Sequence, residues 1–298
     1  MSETEHKAGY VALAGRPNAG KSTLMNALLE TRLAIISDKP QTTRDRVTGM
    51  LNGEGFQAIL VDSPGILSPR DPLQKVMMQT AEQVFRDSDV IVVICDVSRT
   101  QEFEPAMLRP HLDTKPSILL LNKIDRVSRP KLLPMIAKAS ELRDWREIIP
   151  ISASRTDGID RVIKAIVGAL PAGPALFPEE ELSEEPERFF VAEFVREQLM
   201  RLMGQELPYV VAVQVEEFTR REDGRRLISA SIAVARESQK AMVIGKGGRM
   251  IKQVGTLARQ AIQRFLDEPV HLDLRVRVEK NWNADPQQLG RLGYRPRG

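Results

Sequence analysis

A chain of 298 residues is long enough for two domains of ordinary size, and its 42% hydrophobic and 28% charged residues are the balance of a protein with packed cores. Its single cysteine, Cys95, excludes an intrachain disulfide and fits a reducing compartment, and no apolar run approaches the roughly 18 residues of a bilayer span. The net charge of +3 hides an asymmetry, with −3 over residues 1–188 and +6 over residues 189–298, so the C-terminal third is expected to face a polyanion.

The first residues, Met1 to Lys7, are polar and acidic and do not read as a signal peptide. Tyr10 to Ala14 reads as a strand and Lys21 to Leu29 as a helix. Between them Gly15, Arg16, Pro17, Asn18, Ala19, Gly20, Lys21 and Ser22 fit G-x-x-x-x-G-K-[ST], followed by Thr23. Such a loop turns backbone N–H groups and the positive end of a helix toward phosphate oxygens. Lys21 is expected to reach the β- and γ-phosphates and Ser22 to ligate Mg2+.

The polar stretch Ile36 to Asp45 is a candidate switch loop, in which Thr42 or Thr43 would bind the metal while a γ-phosphate is present. Arg44 is either a cis arginine or, as the blander reading, a solvated one. Val47 to Asn52 and Phe56 to Asp62 are strands around a glycine-bearing turn. At the second strand's end, Asp62, Ser63, Pro64 and Gly65 supply a carboxylate for Mg2+ and an amide for the γ-phosphate. Ile66 follows where many small GTPases carry the glutamine that orients water, so intrinsic hydrolysis is expected to be slow. Asn18 is a candidate ligand for a monovalent cation such as K+.

Leu73 to Arg86 and Glu104 to Leu112 read as helices, and Val90 to Cys95 and Ser117 to Leu121 as strands buried on both faces, with Cys95 a packed apolar residue. Asn122, Lys123 and Asp125 form N-K-x-D. The Asp125 carboxylate would accept two hydrogen bonds from guanine, which adenine does not offer. A helix over Arg129 to Leu142, a strand over Ile148 to Ile151 and a helix over Ile159 to Leu170 complete an α/β, mostly parallel, doubly wound domain. Ser152 and Ala153, after the last strand, are expected to aim an amide at guanine O6.

Pro171 to Pro186 holds four prolines and five glutamates and reads as a solvated tether. Beyond it the order is α-β-β-α-α-β: Arg188 to Met203, Tyr209 to Val215, Leu227 to Val234 after a turn at Arg221 to Gly224, Gln239 to Ile244, Arg249 to Phe265 and Val270 to Val278. Gly245, Lys246, Gly247 and Gly248 make a G-x-x-G loop between the two later helices, the signature of a type II KH domain that holds single-stranded RNA. Arg236, Lys240, Lys246, Arg249, Lys252 and Lys280 are candidate phosphate contacts. Ile244 and Ile251 are candidates for the apolar floor or for the core, and Trp282 for a stacking platform or for packing. His6, His111 and His271 have no metal-ligand spacing.

Taken together, these stretches resemble the bacterial Era GTPases over nearly the whole chain. The resemblance rests on Gly15 to Leu24, on Ser37 to Arg44, on Leu176 to Pro178 with Pro186 to Phe190, on Val243 to Gly248, and on Lys280 to Trp282 with Leu292 to Tyr294. It implies a GTPase domain over residues 1–172, a linker over 173–187 and an RNA-binding KH domain with its tail over 188–298. It implies GTP or GDP with Mg2+ as ligands, binding near the 3′ end of 16S rRNA, and a role in assembly of the small (30S) ribosomal subunit. A monomer in the cytoplasm, peripherally associated with the inner membrane, is the implied setting. Ala19 stands where the family usually has Val, Ser63 where Thr is usual, and Asn283 where Arg is common. The competing reading is a membrane-signalling GTPase whose C-terminal domain docks on protein or lipid.

Overall fold

In the computed structural model, which describes residues 6–99, 103–204, 210–222 and 224–294, the chain divides into two units. One gathers the chain up to Ala34 with Thr43–Ser68 and Met77–Glu184; the other gathers Ile35–Thr42, Pro69–Val76 and Glu185–Gly298. Most of Met1 to Lys7, together with Tyr209 and Asp223, which the sequence places at a strand start and in a turn, lies outside the described residues.

The first unit is built on a six-stranded sheet. Its strands are β1 (Lys7–Ala14), β2 (Val47–Gly53), β3 (Phe56–Asp62), β4 (Val90–Asp96), β5 (Ser117–Asn122) and β6 (Glu147–Ile151), in the order β2-β3-β1-β4-β5-β6. Only β2 is antiparallel to its neighbour, as its short turn to β3 requires; the other pairings are parallel. Every residue of β4 and β5 is buried, including Cys95, which is why both read as unbroken apolar runs. Helices α1 (Lys21–Leu28), α2 (Pro72–Asp87), α3 (Arg109–Leu112), α4 (Leu132–Leu142) and α5 (Ile159–Ala169) connect the strands. Because β3, β1, β4, β5 and β6 run the same way, their C-terminal ends share one edge, where a ligand crevice belongs.

Two expectations are corrected here. The helix over Glu104 to Leu112 shrinks to the four residues of α3. Pro105 and Pro110 each lack an N–H, and Glu104 is drawn instead into an ion pair with Arg143. Part of the acidic segment expected to be a solvated tether is bound along the edge strand β2. Met50 N–H donates to Leu182 O at 3.0 Å, and the Thr48 hydroxyl accepts the Glu184 amide at 2.9 Å. Gln57, 1% exposed, accepts the amides of Leu176 (2.7 Å) and Phe177 (2.9 Å) on Oε1 and donates Nε2 to Phe177 O (2.9 Å) and Asn52 Oδ1 (2.9 Å). The side chains of Glu179, Glu180, Glu181 and Glu184 stay exposed while this backbone is held, and that of Glu185 is buried, so the charge run reflects a largely solvated face and not a free chain.

The second unit carries α6 (Glu187–Leu202), β7 (Val211–Arg220), β8 (Arg226–Val234), α7 (Glu237–Ile244), α8 (Arg249–Leu266) and β9 (Val270–Val278), the expected α-β-β-α-α-β order. β8 is the centre of its sheet, antiparallel to β7 and parallel to β9. Val254, Ala258, Ala261 and Ile262 form the buried stripe of α8 at helical spacing. The Phe265 ring meets Phe190 and Phe194 of α6 at centroid distances of 5.1 and 5.3 Å. A last helix, α9 (Pro286–Arg291), was not foreseen; Asp285 caps it by accepting the Gln287 amide at 2.8 Å.

Replacing Gln57 by Leu keeps the volume but strips an acceptor from two amides. The urea midpoint should fall by the equivalent of about 2–4 kcal/mol, and residues 174–184 should become sensitive to limited proteolysis. An unchanged midpoint and cleavage pattern would show that the strap does not depend on this side chain.

Candidate functional site

The P-loop spans the turn from β1 into α1. Ala19 N–H closes on Arg16 O at 3.2 Å, and Leu24 N–H closes on Gly20 O at 2.9 Å to start the helix. Gly20 has φ of 106°, and a Cβ there would lie 2.3 Å from Asn122 Nδ2, so only glycine fits. Lys21 is buried, its ammonium 3.5 Å from both Gly15 O and Arg16 O. Burial lowers its pKa and the Asp62 charge opposes that shift. Arg16 is exposed, and Pro17, Asn18, Ser22 and Thr23 are half-buried at the rim.

Three oxygens meet beside the P-loop. Ser22 Oγ donates to Asp62 Oδ2 at 2.6 Å, Thr43 Oγ1 donates to the same oxygen at 3.0 Å, and the two hydroxyls are 3.1 Å apart. Hard oxygen donors drawn from two hydroxyls and a carboxylate suit Mg2+, which keeps its remaining positions for water and phosphate. The geometry separates the two threonines: Thr43 joins this cluster, whereas Thr42 Oγ1 donates to Lys39 O at 2.7 Å as a turn residue. Arg44 is buried, not solvated. Ser63 donates its hydroxyl to Leu13 O at 2.9 Å, pinning the start of the Asp62 to Gly65 turn against β1. A Cβ on Gly65 would lie 2.7 Å from Pro17 N, so this turn runs directly over the P-loop. The Ile66 amide donates to Gly15 O at 3.0 Å, and its side chain carries no group able to orient water.

The Asn122 to Asp125 loop, expected to read the base, is wired to the same frame. Asn122 donates Nδ2 to Ala19 O at 2.8 Å and accepts the amides of Lys123 (2.8 Å) and Ala153 (3.1 Å) on Oδ1. Lys123, in the left-handed region at φ of 69°, donates Nζ to Asn18 O at 2.6 Å and to Asp96 Oδ2 at 2.7 Å. Ser152 Oγ donates to Asp125 Oδ1 at 2.6 Å, and this bond leads the effects that hold the Asp125 carboxyl below its usual range. The amides of Ser152 and Ala153, expected to point at guanine O6, are both engaged within the protein, on Asp157 O and Asn122 Oδ1. Asp96 is the residue that sequence reading missed. A lone Asp at the end of an apolar strand carries no spacing signal, and only the fold places it beside Lys123.

In the second unit Gly245, Gly247 and Gly248 have φ of 71°, 60° and 75°, so the loop between α7 and α8 needs glycine at each. Side chains would meet nothing within 4 Å at Gly247 and Gly248, which leaves this backbone open to a ligand. Arg236, Lys246, Arg249, Lys252 and Lys280 are exposed, Lys240 is half-buried, and Ile244 and Ile251 are half-buried beside the loop. Trp282 is a correction. It is fully buried, donates Nε1–H to Val210 O at 3.1 Å and stacks on Tyr294 at 5.8 Å, so its ring is a packing element and not a platform for a base.

Comparison with known proteins agrees with both halves. The family described as 50S ribosome-binding GTPase matches residues 10–123, and the KH domain family matches residues 206–283. The chain is 43% identical over 296 residues to GTPase Era of Geotalea uraniireducens, covering 99% of this chain and 100% of that one. It is 39% identical to GTPase Era of Lactobacillus helveticus, covering 99% and 98%. A crystal structure of an Aquifex aeolicus Era variant bound to GDP.AlF4- superposes with a TM-score of 0.92 at 37% identity, over 97% of this chain and 99% of that one. A crystal structure of Era with MgGDPNP and nucleotides 1506–1542 of 16S ribosomal RNA gives the same score, identity and coverage.

Removing the Thr43 hydroxyl (Thr43→Ala) should weaken Mg2+-dependent binding of a non-hydrolysable GTP analogue by about 10-fold and leave GDP binding nearly unchanged. Thr42→Ala should leave both within about 2-fold. The reverse ranking, read by isothermal titration, would return the metal role to Thr42.

Proposed function

Since the chain belongs to the Era family of GTPases, we propose that it is a GTP-hydrolysing switch that binds the 3′-end region of 16S rRNA and serves assembly of the small ribosomal subunit. The observation that carries this reading is the coexistence, in one chain, of a complete guanine-nucleotide frame and an open glycine loop flanked by cations. The division of labour follows the sequence: residues 1–172 for the nucleotide, 173–187 as the connection and 188–298 for RNA.

In the nucleotide half, backbone N–H groups of the Gly15 to Ser22 loop, Pro17 excepted, and the Lys21 ammonium hold the β- and γ-phosphates. Ser22, Thr43 and Asp62 hold Mg2+, which when bound neutralises charge developing on the phosphate oxygens. Gly65 offers its amide to the γ-phosphate. Asp125 reads the guanine, steadied by Ser152 and walled by the Lys123 stem. A carboxylate held ionised by a hydrogen bond keeps its two-acceptor character as pH falls, so base recognition survives mild acid. Ile66 leaves the attacking water without a side-chain partner, so turnover is slow until another group assists; K+ near Asn18 is the cation we favour for that role.

In the RNA half, Lys246, Arg249, Lys252, Lys240 and Arg236 meet phosphates while the Gly245 to Gly248 backbone approaches the strand closely. Ile244 and Ile251 supply the apolar floor. The protein works as a cytoplasmic monomer, with peripheral association to the inner face of the membrane. Among the described residues no helix is long and apolar enough to cross a membrane.

The test is RNA binding in each nucleotide state. A non-hydrolysable GTP analogue should tighten binding to a 3′-terminal 16S fragment by roughly 5- to 100-fold over GDP, the usual range of allosteric coupling. Replacing Lys246 and Gly247 by Asp should abolish that binding while GTP hydrolysis without RNA persists. Equal affinity in both nucleotide states would remove the switch. Retained RNA binding in the double variant would favour a C-terminal domain that docks elsewhere.

A further inference from the structure

Lys123 sits between two anchors. Its ammonium donates to the P-loop carbonyl of Asn18 at 2.6 Å and to Asp96 Oδ2 at 2.7 Å, with its side chain only 20% exposed. Asp96 is the last residue of β4 and 6% exposed. Its second oxygen, Oδ1, accepts both the Ser98 hydroxyl at 2.6 Å and the Ser98 amide at 3.0 Å. Both carboxylate oxygens are therefore committed: one is locked by the turn that follows β4 and the other faces the lysine. Burial alone would raise the carboxyl's pKa, but the hydrogen bonds from Lys123 and Ser98 outweigh it and keep the group ionised.

The consequence follows from the flexibility of a lysine. A four-carbon stem has many rotamers, and an ammonium left beside backbone carbonyls alone prefers water. A fixed carboxylate removes that freedom. Holding the ammonium against Asn18 O also holds the stem across the loop that leads to Asp125, two residues on. Asn122 ties the same loop to Ala19 O from the other side. The carbonyls of Asn18 and Ala19 are thus tethered in parallel, one by an amide whose position is set by β5 and one by a lysine whose position is set by Asp96.

We propose that Asp96 is a positioning residue for guanine-nucleotide binding, fixing Lys123 as the second tether between the P-loop and the base-recognition loop. This rests on the guanine reading of Asp125, and it adds a residue that touches neither nucleotide nor metal.

The experiment is a double-mutant cycle in the full-length chain, read by stopped-flow release of fluorescent GDP. Asp96→Ala should speed release by about 10- to 100-fold, the scale of a partly buried charge-assisted bond. Asp96→Asn has one acceptor oxygen where the carboxylate has two, so it can serve Ser98 or Lys123 but not both, and it should release GDP faster than wild type but no faster than Asp96→Ala. Lys123→Ala should also speed release, and Asp96→Ala added to it should produce less than a 2-fold further change, because the carboxylate acts through the lysine. Because Asp96→Ala leaves a partly buried ammonium unpaired, the nucleotide-free thermal midpoint should fall as well, and the release rate is the readout that a merely structural role would not move. Multiplicative effects in the double variant, wild-type release in Asp96→Asn, or a lowered nucleotide-free midpoint without faster release would each overturn the proposal. If wild type binds adenine nucleotides equally well, the reading of Asp125 fails, while the cycle, measured on GDP release, still decides the role of Asp96.

Discussion

The nucleotide site depends on one side chain more than on any other: the carboxamide of Asn122, 2% exposed at the end of β5. It donates to the P-loop at Ala19 and accepts from Lys123 and Ala153, so a single group fixes three loops that emerge from β1, β5 and β6. A buried amide with all these bonds made is rigid, and leaving one unmade would cost about 1–3 kcal/mol. Gly20 yields the space for it, since any Cβ there would overlap Asn122 Nδ2. Phosphate grip and base selection are therefore not separate inventions of separate loops. They share a frame, and the frame exists because parallel strands end together.

The Gly245 to Gly248 loop, proposed to face RNA, applies the same backbone logic to a different partner. Glycines with positive φ let the chain turn sharply while keeping side chains out of the way, whether the guest is a triphosphate or a nucleic-acid strand. In the first unit the turn is half-buried and braced; in the second it lies open, with Lys246 within it and Arg249 after it both exposed. That contrast fits the ligands. A nucleotide is enclosed and read atom by atom, whereas a flexible strand is steered by charge and gripped along its backbone.

Much of this was legible in the sequence, because the chemistry demands particular residues at strand ends. Gly15 to Ser22, Asp62 to Gly65 and Asn122 to Asp125 announce themselves by order and spacing, and the all-buried strands β4 and β5 by unbroken apolar runs. What stayed hidden depended on three-dimensional placement. Thr42 and Thr43 are adjacent hydroxyls, and only the path of the loop separates a turn residue from one 3.0 Å from Asp62. Asp96 and Gln57 are single polar residues in apolar surroundings, whose partners lie far along the chain. The prolines and glutamates of residues 171–186 correctly signalled an exposed face but said nothing about a backbone bound to β2. Trp282 suits stacking or packing as far as sequence goes, with packing slightly favoured, and its buried ring with the indole N–H on Val210 O selects packing.

The central claim is that this frame selects guanine through an ionised carboxylate at residue 125. Competition binding of GTP against ATP to the purified wild-type chain, with Mg2+ present, measures it most directly. The account predicts a preference for GTP of about 10³-fold or more, because ATP would leave a hydrogen-bonding site unpaired. Comparable affinity for the two nucleotides would contradict it.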